Sequence, residues 1–251
     1  RRFWEAWAAL ARSYYLQGKF EPALEQFEQV EAAYTRVLGA EHPSHAVNLN
    51  KLADLCWSVN DFDAAKTYLL EAVDIEKNLL ITASRHLSEQ ELSSYISKFV
   101  KGLNRNFSYA QIRKDFSGTC YDNMLFRKGF LLNAVWRVGK LAMTDSVTTE
   151  KYYLLKFYNR RLAADYATPI AERDRAKVAE LEAKANALGK DLARSVAGFD
   201  DAVRQIRWQE VQTNLRPGEA AIEFVHYQFS NPKTTDSTMY AAIVLLPQPA
   251  I

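Results

Sequence analysis

Cysteine is scarce: Cys56 and Cys120 are the only two in 251 residues, far apart and outside any Cys-x-x-Cys spacing. Nothing in that pattern argues for a disulfide-stapled secreted fold. Long apolar runs are missing as well, none approaching the ~18–20 residues that span a bilayer. No signal peptide precedes the first helical pattern, so the cytoplasm is the expected compartment. Net charge is nearly absent, 32 Lys+Arg against 30 Asp+Glu. A starting Met is absent too; the chain enters its helical pattern directly after Arg1-Arg2 and reads as a fragment with further repeats upstream. What is present, 48% apolar and 25% charged residues, describes a soluble globular protein with a core, long enough for one large or two ordinary domains.

The near-neutral total conceals an asymmetry. Residues 1–97 carry 9 basic and 14 acidic groups, 98–161 carry 13 and 4, and 162–251 carry 10 and 12. The middle is therefore at +9, between segments at −5 and −2.

The N-terminal part is built on two copies of one pattern, in tandem and at constant offset. Trp7, Leu10, Ala11, Tyr14, Gly18, Phe20, Ala23, Phe27 and Val30 are answered by Leu49, Leu52, Ala53, Cys56, Asn60, Phe62, Ala65, Leu69 and Ala72. Within each copy apolar residues recur at three- and four-residue steps, break at Gly18 or Asn60, and resume, which predicts helix, tight turn, helix. Pro22 suits a helical first turn. These residues resemble the tetratricopeptide repeat, and Gly39–Ala46, with His42-Pro43, resembles the connector of the longer, kinesin-light-chain-like repeats. The resemblance covers roughly residues 1–80. It implies a curved solenoid whose first helices line the concave side, with Arg12, Tyr15, Asn50, Asp54 and Trp57 at the positions that contact a bound peptide. Packing against the next helix is the competing role for Tyr15 and Trp57.

Past Ala72 the pattern changes. Ser88 and Glu91 form a capping box with Leu87 and Leu92 as a staple, and Leu92, Ile96, Phe99, Leu103, Phe107 and Ala110 mark one face of a long helix beginning near residue 89. Further helices are expected at about 122–142 and 150–166. Basic residues crowd this section, among them Lys98, Lys101, Arg105, Arg113, Lys114, Arg127 and Lys128. On a shared face they would hold phosphates or an acidic partner. The aromatics fall on the apolar periodicity, which favours a solvated helical surface instead. After Thr168-Pro169, Val178, Leu181, Ala185, Leu188 and Leu192 keep heptad spacing. Val196, Phe199, Val203 and Ile206 resume it after a stutter, unless Gly198 and Asp200 end one helix and cap another.

From Trp208 the character switches. Leu215-Arg-Pro-Gly-Glu219 is a turn into a strand, Ala220–Tyr227, and a second, nearly all-apolar strand, Met239–Leu246, follows across a polar loop. Such a strand needs cover on both faces, which predicts the opening hairpin of an α/β domain. Repeats, a long helical connector, then Trp208-Gln-Glu-Val-Gln, Leu215-Arg-Pro-Gly-Glu-Ala-Ala-Ile-Glu-Phe-Val and Tyr240-Ala-Ala-Ile-Val-Leu-Leu-Pro resemble the bacterial repeat-plus-CHAT proteins, CHAT being a caspase- and separase-like cysteine peptidase domain. The Phe126-Arg-Lys-Gly-Phe-Leu-Leu segment resembles that family too.

The expected fold is mainly α: repeats over 1–86, a helical connector with a basic middle and heptad arm over 87–207, and the incomplete start of a CHAT-like domain over 208–251. The family's catalytic His and Cys would lie beyond residue 251, so no catalytic residue is assigned and His226, Cys56 and Cys120 are left structural. The expected role is to recruit a substrate or activator through the groove and to regulate a downstream peptidase. The alternative is a non-catalytic adaptor docking on a CRISPR-type RNA-guided nucleoprotein complex through the basic middle. No cofactor or metal is expected; a zinc site from His42, His45 and Cys56 is set aside because it joins two connector residues to a core thiol.

Overall fold

The two sequence copies fold as two helical pairs. A computed structural model of the chain describes residues 3–39, 41–196, 205–231 and 233–247. Helices α1 (Phe3–Leu16) and α2 (Phe20–Leu38) form the first pair, α3 (Pro43–Ser58) and α4 (Phe62–Ser84) the second. Both turns place their central residue in the left-handed region, Gly18 at φ 75° and Asn60 at φ 62°. Asn60 is thus the substitute for glycine that this conformation tolerates best. Each turn closes on the same bond, Lys19 N–H to the Tyr14 carbonyl at 3.0 Å and Asp61 N–H to the Cys56 carbonyl at 2.8 Å. Ala11, Ala23, Ala53 and Ala65, where helices approach closely, are all fully buried. Trp7 and Leu10 differ from their buried counterparts Leu49 and Leu52, being 39% and 42% exposed. Leu49 and Leu52 share a core with Phe27 of the preceding pair, whereas no described element precedes α1.

A buried polar group locks α3 to α2. The His45 ring hydrogen-bonds the Glu31 carboxylate, and Asn48 Nδ2 donates to Glu31 Oε2 at 3.1 Å and to the Phe27 carbonyl at 3.2 Å. Glu31→Ala is expected to cost about 1–3 kcal/mol in urea unfolding, because His45 and Asn48 both lose a partner inside the protein. A change within experimental error would mean that water replaces the carboxylate there.

The chain divides into two compact units, Arg1–Leu79 with Phe99–Leu125 and Ile206–Ile251, and Leu80–Lys98 with Phe126–Gln205. In place of one long helix from residue 89 there are two, α5 (Glu89–Ser97) and α6 (Val100–Ile112). No glycine or proline marks the break at Lys98-Phe99. In the first unit α6 lies close on α4, where a Cβ at Gly102 would sit 2.5 Å from Glu76 Oε1.

Also in the first unit, the opening turns of α7 (Ser117–Ala142) receive α10 (Trp208–Thr213). Trp208 N–H donates to Asp122 Oδ1 at 2.6 Å, and its indole covers Gly118, where a Cβ would lie 2.6 Å from the ring nitrogen. Strands β1 (Ala221–Asn231) and β2 (Lys233–Leu245) pair antiparallel, with Ile222 opposite Val244, Phe224 opposite Ala242 and His226 opposite Tyr240. The polar segment expected as a loop is largely strand, with an irregularity between Gln228 and Ser230; the β-branched Thr235 and Thr238 favour that extension. One face packs on α6: Tyr227 stacks on Phe107 at 5.3 Å and Ser230 N–H donates to Ser108 Oγ at 3.0 Å. Tyr227 and Phe107 join Ala53, Trp57, Leu69 and Met124 in one core.

The second unit is helical. Helix α8 (Ser146–Ala167) and α9 (Arg175–Ser195) form a hairpin, pinned by Lys151–Asp191 at 2.6 Å near one end and Lys177–Asp165 at 2.9 Å near the other. Of the heptad positions, Ala185 and Leu192 are buried, as is Val196 just beyond α9; Gly198, Phe199, Asp200 and Val203 lie outside the described residues. Ser88 caps α5 as expected, its Oγ accepting from Glu91 N–H at 3.2 Å. The Glu91 carboxylate reaches back to the Ser88 backbone N–H as expected and also meets α9, Lys190 Nζ at 2.5 Å and Asn186 Nδ2 at 3.2 Å.

Candidate functional site

The first helices of the two repeats, α1 and α3, present the face that carries the five groove positions. Arg12 is exposed and Tyr15 half-buried, the Tyr15 ring 6.0 Å from Phe20. Burial first, and then the field of Asp54, raises the Tyr15 phenol pKa. Asn50, Asp54 and Trp57 are buried, at 7%, 3% and 4% exposure. Helix α6 covers them: Arg105 grips Asp54 with two hydrogen bonds, Nε to Oδ1 at 2.5 Å and Nη2 to Oδ2 at 2.9 Å, and Trp57 meets Tyr109 edge-on at 5.5 Å. Asn50 donates to the Ala46 carbonyl at 2.9 Å and faces Glu76 Oε1 at 3.4 Å. On the second repeat the chain's own helix therefore occupies these positions.

What remains open lies between the repeats. Ala8 and Arg12 of α1, Phe27 of α2, and Pro43, Val47 and Lys51 of α3 help line a cleft of about 340 Å³. Burial lowers the Lys51 ammonium pKa; Arg105, Arg12 and Lys101 push it the same way, and Asp54, 3.9 Å from Lys51 Nζ, opposes them. Asp54 is already taken by Arg105, so Arg12 and Lys51 are the two cations on the lining of an apolar cleft. Lys51 was not legible as a site residue: the repeat alignment sets it against Ala9 and so carries no polar signal there.

The basic residues of the middle are divided between the two units. Lys101, Arg105, Arg113 and Lys114 belong to the first unit, and Lys98, Arg127 and Lys128 to the second. Arg105 is buried on Asp54, and Arg113 lies over the Phe62 ring at 5.6 Å with Asp63 and Asp115 each at 3.4 Å. Lys98 sits over Tyr95 at 5.1 Å. Lys101, Lys114 and Lys128 are exposed and Arg127 half-buried.

Neither thiol is placed to attack a substrate. Cys56 lies in the repeat core at 3% exposure, its pKa pushed up to about 11 by burial and then by Asp61 and Glu28. Cys120 is fully buried, donates to the Asn106 carbonyl at 3.4 Å, and burial raises its pKa far further. A thiol kept protonated in this way is inert as a nucleophile. His226 is exposed on β1, its ring 6.1 Å from Tyr240. His42 caps α3, its Nδ1 accepting from Ser44 N–H at 3.1 Å, which agrees with a connector-shaping role. No helix among the described residues is long and apolar enough to cross a membrane.

No curated protein matches the chain. Residues 4–78, which hold the two helical pairs and the open cleft, match the family model of the tetratricopeptide repeat, a module whose role is to bind protein partners.

Proposed function

We propose that the repeats take an extended, acidic segment of a partner protein in the cleft between α1 and α3. The observation that carries this is the pairing of Arg12 and Lys51 on an apolar wall of Phe27, Pro43 and Val47. Carboxylates would meet the two cations while aliphatic side chains fill the cleft, and charge of one sign steers such a partner inward. In the wider reading, recruitment at this cleft controls a caspase-like cysteine peptidase domain of the CHAT type, in a bacterial protein, that begins with β1 and β2. The turn at Arg216–Glu219, with Gly218 at φ 86°, and the bare outer face of the hairpin support it. Phe224 and Tyr240 are 73% and 83% exposed there, an apolar face suited to a second layer.

The test is fluorescence anisotropy with a labelled Glu/Leu-rich peptide. Arg12→Glu and Lys51→Glu are each expected to weaken binding about tenfold or more, with modest dependence on salt. Unchanged binding in both variants sinks the cleft. Should an oligoribonucleotide bind instead, with affinity falling roughly a thousandfold between low and moderate salt, the adaptor for a nucleoprotein complex takes its place. The peptidase part is tested separately, by reading the coding sequence beyond Ile251 for a His and then a Cys, each following an apolar strand; without that pair the hairpin belongs to a non-catalytic scaffold.

A further inference from the structure

A second surface, independent of the cleft, lies on the later part of α7 and the residue just past its end. Leu132, Trp136 and Met143 are 71%, 62% and 58% exposed, and their helical spacing, one turn and then two, puts them along one side. Exposed Lys128 and Lys140 flank that stripe, with Lys140 Nζ 5.1 Å from the Trp136 ring centroid. Residues 126–142 contain Arg127, Lys128, Arg137 and Lys140 and no Asp or Glu. Solvent-facing Leu, Trp and Met in a row is what monomeric surfaces avoid unless the patch is used, and a half-exposed Trp is the side chain that most often anchors an interface.

We infer that this stripe is a docking site for an acidic amphipathic helix of a partner protein, with Trp136 as the anchor. The pattern fits helix-on-helix recognition, in which apolar residues at i, i+3, i+4 and i+7 of the partner interdigitate with Leu132, Trp136 and Met143, and its glutamates face Lys140. A second copy of the same helix would bring lysines against lysines. A nucleic-acid strand would stack on Trp136 but gain nothing from Leu132 or Met143, whose aliphatic surface would stay wet.

The probe is a labelled helical peptide of about four turns, with leucines at i, i+3, i+4 and i+7 and glutamates beside them, read by anisotropy against the full chain. Trp136→Glu and Leu132→Ser are each expected to weaken binding at least about tenfold, Lys140→Glu about three- to fivefold, and a scrambled peptide to bind about as poorly as the Trp136 variant. All three side chains project into solvent, so circular dichroism and thermal midpoint should not move. Equal binding of scrambled and patterned peptides overturns the inference. So does an oligouridine whose binding is lost with Lys140→Glu but kept with Leu132→Ser, or a dimer in sedimentation that Trp136→Glu dissociates. Arg12→Glu leaves this binding unchanged, which separates its failure from that of the cleft.

Discussion

Asp54→Ala is expected to destabilise the first unit by about 3–5 kcal/mol, because it strands a buried guanidinium. Arg105 is only 14% exposed at its side chain and Asp54 4%, and the pair is bidentate at 2.5 and 2.9 Å. Burial alone would disfavour the Arg105 charge, but the Asp54 field and hydrogen bonds outweigh it and raise its pKa. Without the carboxylate, Arg105 also faces Lys51, whose Nζ lies 3.9 Å from Asp54. The cost reflects unpaired charge and not lost packing, so Asp54→Leu combined with Arg105→Met should recover most of it. Urea unfolding of the two single variants and the double variant measures this directly. A loss below about 1 kcal/mol for Asp54→Ala would mean that water reaches Arg105 and that α6 is not seated on the repeats as described.

That pair also shows where sequence reasoning reached its limit. The repeats were legible to the turn: the same pattern in two successive copies located the helices, and Gly18 and Asn60 marked the turns, where the structure shows left-handed residues at φ 75° and 62°. A β-branched and aromatic run after the Arg-Pro-Gly turn and a nearly all-apolar run beyond it marked the strand pair, and Ser88 marked the start of α5. Asp54 and Arg105, however, are distant in the chain with no shared pattern, and nothing local says that α6 covers α3. Groove positions are defined relative to an open face, and a covering helix turns the same residues into core. Lys51 shows the converse, an unremarkable lysine made prominent by Arg12, Lys101 and Arg105 arriving from two other helices. Local periodicity specifies which side of a helix is apolar; it does not specify which element arrives to bury the rest.

Trp57 decides between these two roles most sharply. As a groove residue its truncation would weaken peptide binding and leave the fold intact. Its burial at 4% exposure points to the opposite outcome: Trp57→Ala is expected to cost about 3–5 kcal/mol, the range for emptying a large aromatic site in a core. The cavity would open against Tyr109, whose ring meets Trp57 at right angles and whose hydroxyl donates to the Phe62 carbonyl at 2.6 Å. Because Tyr109 also packs edge-on against Phe116 at 5.2 Å, the void would loosen α6 and the start of α7 together. Trp57→Phe should cost less than half as much, since it keeps the edge-on contact and vacates less volume. Arg12→Ala, at an exposed position on the same face of the repeats, should change stability by no more than about 0.5 kcal/mol while reducing acidic-peptide binding. If Trp57→Ala instead unfolds at the wild-type urea midpoint and loses the peptide, α6 leaves the face readily, and the closed arrangement is one that a partner can displace.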